Sequence, residues 1–136
     1  VGELIHEKKL FDSWNEEFNV PVFDEERVID ELENVKNIKK GGFIIDFHSG
    51  CFFPEEWFKL VVLLRCNNTD LFDRLKQRGY NDNKIKENIE CEIMNITSDE
   101  VKDSYDASRI LELNNEKTED MSGNIEKIVN KFKSLL

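Results

Sequence analysis

The chain has 136 residues, with 29 acidic against 19 basic side chains and a formal net charge of −10. That length suffices for one domain with its own core, and that charge excludes a general nucleic-acid binder, which needs clustered Lys and Arg to neutralise phosphates; a basic protein partner is electrostatically easier. The cysteines, Cys51, Cys66 and Cys91, have no CxxC spacing or zinc-site histidine pattern, and no apolar run is long enough to span a membrane.

Along the chain, residues 24–39 predict a long helix. Val28, Leu32 and Val35 recur at i, i+4 and i+7 behind an Asp24 N-cap, with acids in the first turn and Lys39 and Lys40 before Gly41. Residues 43–47, FIIDF, and 60–65, LVVLLR, have the length and apolar, partly β-branched content of buried parallel strands, and 109–113, RILEL, predict a third. Helices are expected between them: 69–78 with Leu71, Phe72 and Leu75 inward, and about 82–103 with Ile85, Ile89, Ile93 and Ile96 on one stripe. Glu90 and Glu92 fall between those inward positions and read as solvated. The segment 114–123 reads as a mobile polar connection into a last helix, about 118–135, whose apolar face carries Met121, Ile125, Ile128, Val129 and Phe132. Strands alternating with helices predict an α/β fold with a parallel sheet, in which ligands collect beyond the carboxyl ends of the strands.

In such a sheet Asp46 falls near the end of its strand and His48 just past it, on one face. An aspartate ending an apolar strand can hold a magnesium ion through its water shell, the ion offsetting the buried charge, and a histidine beside it can orient a water or a phosphate oxygen. The same residues admit a plainer reading, with Asp46 capping a turn and His48 packed among Phe47, Phe52 and Phe53. Arg78 stands at a predicted helix end before Gly79. It can swing onto a phosphate or simply offset the helix dipole. The aromatics Phe52, Phe53, Trp57 and Phe58 fit packing under a loop or a binding surface.

The stretch GGFIIDFHSGCFFPEEWF, 41–58, resembles the Walker-B region of the adenylate kinase isoenzyme 6 family, with its aspartate-x-histidine and following Phe-Phe-Pro-Glu-x-Trp-Phe. The likeness extends to VGELI at 1–5, PVFDEERVIDELE at 21–33, LRCNNTDLFDRLKQRGYN at 64–81 and NIECEI at 88–93. It implies a three-layer P-loop kinase fold with a parallel sheet flanked by helices, one domain over 1–136. Within it, 1–23 would form the monophosphate-binding region and 77–87 the lid. It further implies phosphoryl transfer from ATP to an AMP-type monophosphate with ATPase activity. Asp46 would serve magnesium and catalysis, His48 positioning or hydrolysis, and Arg78 the ATP phosphates. A role in small ribosomal subunit maturation, holding a ribosomal protein in the cytoplasm and nucleus, is implied as well, with no direct DNA or membrane binding.

Two departures qualify the resemblance. His6 stands where the family pattern has an arginine after VGDLA. These 136 residues also contain no GxxxxGK(S/T) and no first strand before it, so the phosphate cradle is missing and the chain is expected to be catalytically impaired. In this fold that strand lies between those corresponding to 43–47 and 60–65. Both would have unpaired edges, to be met by mutual repacking, a strand from a second copy, or residues of a longer product. The alternative function is a non-catalytic acidic module that holds a basic ribosomal protein.

Overall fold

The computed structural model describes residues 1–136, which pack as two compact units, Val1–Phe53 and Pro54–Leu136.

The first unit opens with a short helix, α1 (Gly2–Glu7), followed by an antiparallel hairpin of β1 (Phe11–Asn15) and β2 (Val20–Phe23). Asn15 accepts from the Phe18 N–H at 3.1 Å and Asn19 takes a positive φ of 52°, so two asparagines make the turn. This hairpin has no strong alternation to announce it: β1 reads FDSWN, β2 contains Pro21, and a bulge interrupts the register between Phe11 and Ser13. Helix α2 (Glu25–Glu33) starts as expected, with Asp24 accepting from the Arg27 N–H at 3.1 Å. It stops six residues short of the predicted end. Asn37 is left-handed at φ 67°, a 3-10 turn covers Ile38–Lys40, and Val35 is exposed rather than inward. Ile5, Leu10, Val28, Leu32 and Phe53 form the buried set of this unit.

The expected strand at 43–47 does not form. The segment joins no sheet, and Ile44 is 97% exposed. A strand requires a ladder partner for its N–H and C=O groups, and no segment of the chain supplies one here. What anchors the region is aromatic packing. Phe47 lies 5.4 Å from Phe23 and 5.9 Å from Phe52, and Phe52 and Phe53 stack at 4.1 Å.

The second unit holds the predicted parallel sheet, with two strands: β3 (Val61–Arg65) and β4 (Ile110–Asn114) pair from Val61↔Ile110 to Arg65↔Asn114. The chain is an α/β protein, and its crossover runs through α3 (Asn68–Gln77), α4 (Asp82–Ile93) and α5 (Ile96–Ser104). The single helix expected over 82–103 breaks because Asn95 is left-handed at φ 56°. The isoleucine stripe breaks with it: Ile85 is buried, but Ile93 and Ile96 are exposed. Asn67 caps α3 by accepting from the Asp70 N–H at 2.8 Å. Leu63, Val101 and Tyr105 form a core cluster with Phe58, Val61 and Ile110 against it, and Phe58 meets Tyr105 edge-on at 6.0 Å. Each fully buried aliphatic there contributes about 1.5–3 kcal/mol. Helix α6 (Asp120–Ser134) closes the chain. No helix is long and apolar enough to cross a membrane. The four expected aromatics divide, Phe52 and Phe53 into the first unit and Trp57 and Phe58 into the second. The only ladder partner of β3 is β4, so its other edge is unpaired, and Leu64 is 53% exposed.

Candidate functional site

Asp46 and His48 lie in the first unit and Arg78 in the second. Asp46 is exposed, and its backbone carbonyl accepts from the Val1 ammonium at 3.2 Å. The carboxylate is therefore not a buried charge in need of compensation, because the segment that would bury it is not a strand. His48 is also exposed, with its ring 4.2 Å from that of Phe47 and edge-on to Phe23 at 6.3 Å. Of the aromatics expected around His48, Phe47 is beside it, Phe23 joins it, and the ring is exposed rather than in a core.

Arg78 sits where local chemistry fixes a loop and leaves a side chain over. It is the C-cap of α3, and Gly79 follows at φ 76°. The Gly79 N–H donates to Lys76 O at 3.0 Å and the Tyr80 N–H to Leu75 O at 3.3 Å, the paired bonds of a Schellman ending. Asn81 then caps α4, accepting from the Lys84 N–H at 2.7 Å, and the Lys84 ammonium lies 3.9 Å from the centre of the Tyr80 ring. Every residue of RGYN except Arg78 is thus occupied in turning the chain. The Arg78 guanidinium is exposed and enters none of the salt bridges.

In the region 1–23, His6 packs beside Trp14 at 5.6 Å and Phe11 at 6.2 Å. Trp14 donates from Nε1 to Asn19 Oδ1 at 3.2 Å.

The carboxyl end of the parallel sheet contains polar organisation that the sequence reading missed. Arg65 ends β3 and donates from Nε to Glu92 Oε1 at 2.7 Å, from one terminal nitrogen to Asn95 Oδ1 at 2.6 Å, and from the other to Glu112 Oε1 at 3.2 Å. Glu92 is largely buried and not solvated, unlike Glu90, which pairs only with Lys86 on the surface. The hydrogen bond that Arg65 donates to Glu92 holds the Arg65 pKa above its ordinary value, against the opposing effect of desolvation. Arg74 reaches from α3 to the carbonyls of Asn115, at 2.7 Å, and Glu116. Asp120 accepts from the N–H groups of Glu116 and Lys117, and the buried Asn124 donates to Asn114 O at 2.8 Å. The connection after β4 is therefore tied at its start by three side chains rather than a loose tether. Arg65 and Arg74 both stand in the quoted LRCNNTDLFDRLKQRGYN, so the signal lay in the motif and only its last arginine was singled out. All three cysteines are free thiols, and burial pushes the pKa of Cys66 and Cys91 up.

A family model described as an AAA domain matches residues 1–95. The chain is 40% identical over 128 residues to the adenylate kinase isoenzyme 6 homolog of Caenorhabditis elegans, covering 94% of this chain and 70% of that protein. It is 37% identical to the homolog of Drosophila melanogaster over 97% of this chain and 74% of that one. The Candida albicans homolog is 39% identical over 94% of this chain, which spans only about half of that relative, 51%. On sequence identity sustained across nearly its whole length, the chain belongs to the adenylate kinase isoenzyme 6 family.

Proposed function

We propose that the chain serves a nucleoside-monophosphate kinase with ATPase activity, acting on ATP and an AMP-type acceptor and linked to small ribosomal subunit maturation in the cytoplasm and nucleus. The observation that carries this reading is the family identity over 94% of the chain, with Asp46, His48 and Arg78 standing at the motif positions. The donor set suits magnesium. Asp46 is exposed, and no cluster of three ligating side chains exists to form a protein cage, so one carboxylate working through a water shell is the fitting mode. Magnesium bound with ATP neutralises charge on the phosphates. Asp46 would hold it, His48 would orient a water or phosphate oxygen, and Arg78, unpaired on a fixed loop, would contact the ATP phosphates.

These residues include no GxxxxGK(S/T), so transfer by the 136-residue chain alone is slow on this reading. Calorimetric titration with magnesium–ATP, beside a coupled turnover assay with AMP, tests it. Magnesium-dependent binding with turnover near background is expected; binding that is indifferent to magnesium and to Asp46→Ala rejects the metal assignment.

A second reading is favoured by the charge of −10: an acidic module that holds a basic ribosomal protein. Salt-sensitive binding to such a partner that survives Asp46→Ala supports this role, and the two roles are compatible.

A further inference from the structure

Helix α6 carries two stripes. Asp120, Asn124, Ile128 and Lys131, at i, i+4, i+8 and i+11, are the residues it buries or half-buries in its own unit, and its C-cap Leu135 continues them. Met121, Ile125, Val129, Phe132 and Leu136, at i, i+4, i+8, i+11 and i+15, are 41% to 82% exposed. At about 100° per residue the four within the helix, Met121 to Phe132, fall within a sector about 80° wide, and at 1.5 Å per residue they run about 16 Å along it, with Leu136 just past its end. An apolar strip of that continuity has no counterpart among isolated exposed hydrophobics, and it marks a surface that something covers.

The charges beside the strip identify what covers it. Glu126 and Lys133 lie on its outer flank, within about 20° of each other around the helix, with no other charged residue between them on that edge. A second α6 crossing antiparallel about Val129 and Asn130 sets Glu126 of each copy opposite Lys133 of the other, twice by symmetry. In a parallel pair the outer flank of one helix would face the inner flank of the other, so Glu126 and Lys133 would not meet across it. The flank is self-complementary under a two-fold axis, a property that a foreign partner would not require.

We infer that α6 is a homodimerisation surface on which a second copy of this chain docks its own α6 antiparallel, the apolar strip supplying affinity and the Glu126–Lys133 pairs supplying register. Each copy carries a charge of −10, so the strip must also outweigh mutual repulsion.

Sedimentation equilibrium of the 136-residue chain across the micromolar range is the test. A concentration-dependent rise from 16.1 kDa toward twice that mass is expected. Val129→Glu, at an exposed position that leaves helicity by circular dichroism unchanged, should return the protein to monomer. Glu126→Lys or Lys133→Glu alone should weaken association about tenfold, because each replaces two exposed attractions with two repulsions, and the two together should restore it. A chain monomeric at every concentration, with the strip covered by something else or by nothing, overturns the inference. So does a dimer that survives Val129→Glu, or a double swap that fails to rescue.

Discussion

The guanidinium of Arg65, the last residue of β3, lies 2.7 Å from the carboxylate of Glu92 near the end of α4, with both side chains about four-fifths buried. This pair fastens the crossover helices to the sheet edge where the strands end. Glu92 Oε1 also accepts from the Cys66 N–H at 3.4 Å, so one carboxylate serves the strand, its side chain and the start of the next helix.

Glu92→Gln should therefore cost stability out of proportion to a surface change. It leaves the largely desolvated Arg65 with Glu112 as its one charged partner, and losing the Glu92 charge from one side costs about 1–3 kcal/mol. A urea midpoint lowered at unchanged slope is the expected outcome, while Glu90→Gln, on the same helix but exposed, should move it little. Arg65 has a raised pKa in the folded state, so its contribution is complete below the ordinary arginine value and declines only as pH rises above that. The loss in Glu92→Gln should accordingly show no dependence traceable to Arg65 across the neutral range.

The turn that presents Arg78 has its own sensitive point. Gly79 has open space around a would-be Cβ but a φ of +76°, so Gly79→Ala meets backbone strain and no clash. A cost of about 1–2 kcal/mol is expected. Hydrogen exchange should localise the change to the amides of Gly79 and Tyr80, which make the Schellman bonds, while the amides of β3 keep their relative protection.

How much of this was legible follows from what each signal can report. β3, β4, α3 and α6 declare themselves by local periodicity and caps, and the structure places them within a residue or two of the expected bounds. FIIDF has strand composition too, but a strand is made by its neighbours, and composition is blind to whether a partner exists. The β1–β2 hairpin is the converse case, poor in alternation yet held by two turn asparagines. Glu92 was misread because helical spacing measures angle around one axis and says nothing of Arg65, which is 27 residues away along the chain. The helix ending at Arg78 and Gly79 was legible because a helix ending is local chemistry. The strip on α6 was correctly read as apolar, but periodicity cannot tell which part of an apolar face is covered.

Asp106 gives a pH dependence with a defined sign. Hydrogen bonds from the Ser108 hydroxyl and then the Ser108 N–H hold its carboxyl below the ordinary aspartate value, and the group is exposed. A depressed carboxylate stabilises the fold above its unfolded pKa, and the contribution is lost as pH falls through the folded one. The melting temperatures of the native chain and Asp106→Asn should thus differ slightly at neutral pH and converge in acid below the unfolded aspartate range. A gap that widens in acid contradicts the assignment.

His6 is where this chain departs from the family pattern's arginine, and its environment makes the exchange testable. The ring is exposed and lies beside Phe11 and Trp14, faces on which a guanidinium can stack as readily as an imidazole. His6→Arg should therefore be tolerated by the fold while adding a permanent charge and a forked set of donors. If residues 1–23 hold the acceptor, one added charge-assisted contact to its phosphate, worth about 1.5–3 kcal/mol, tightens AMP binding at least tenfold. Trp14 is 5.6 Å from the His6 ring, so tryptophan fluorescence during an AMP titration reports the change, with Trp14→Phe as the control that assigns the signal. Unchanged affinity in a folded His6→Arg chain would remove the acceptor phosphate from this region. Tighter binding would show that the histidine, not the fold, limits acceptor affinity.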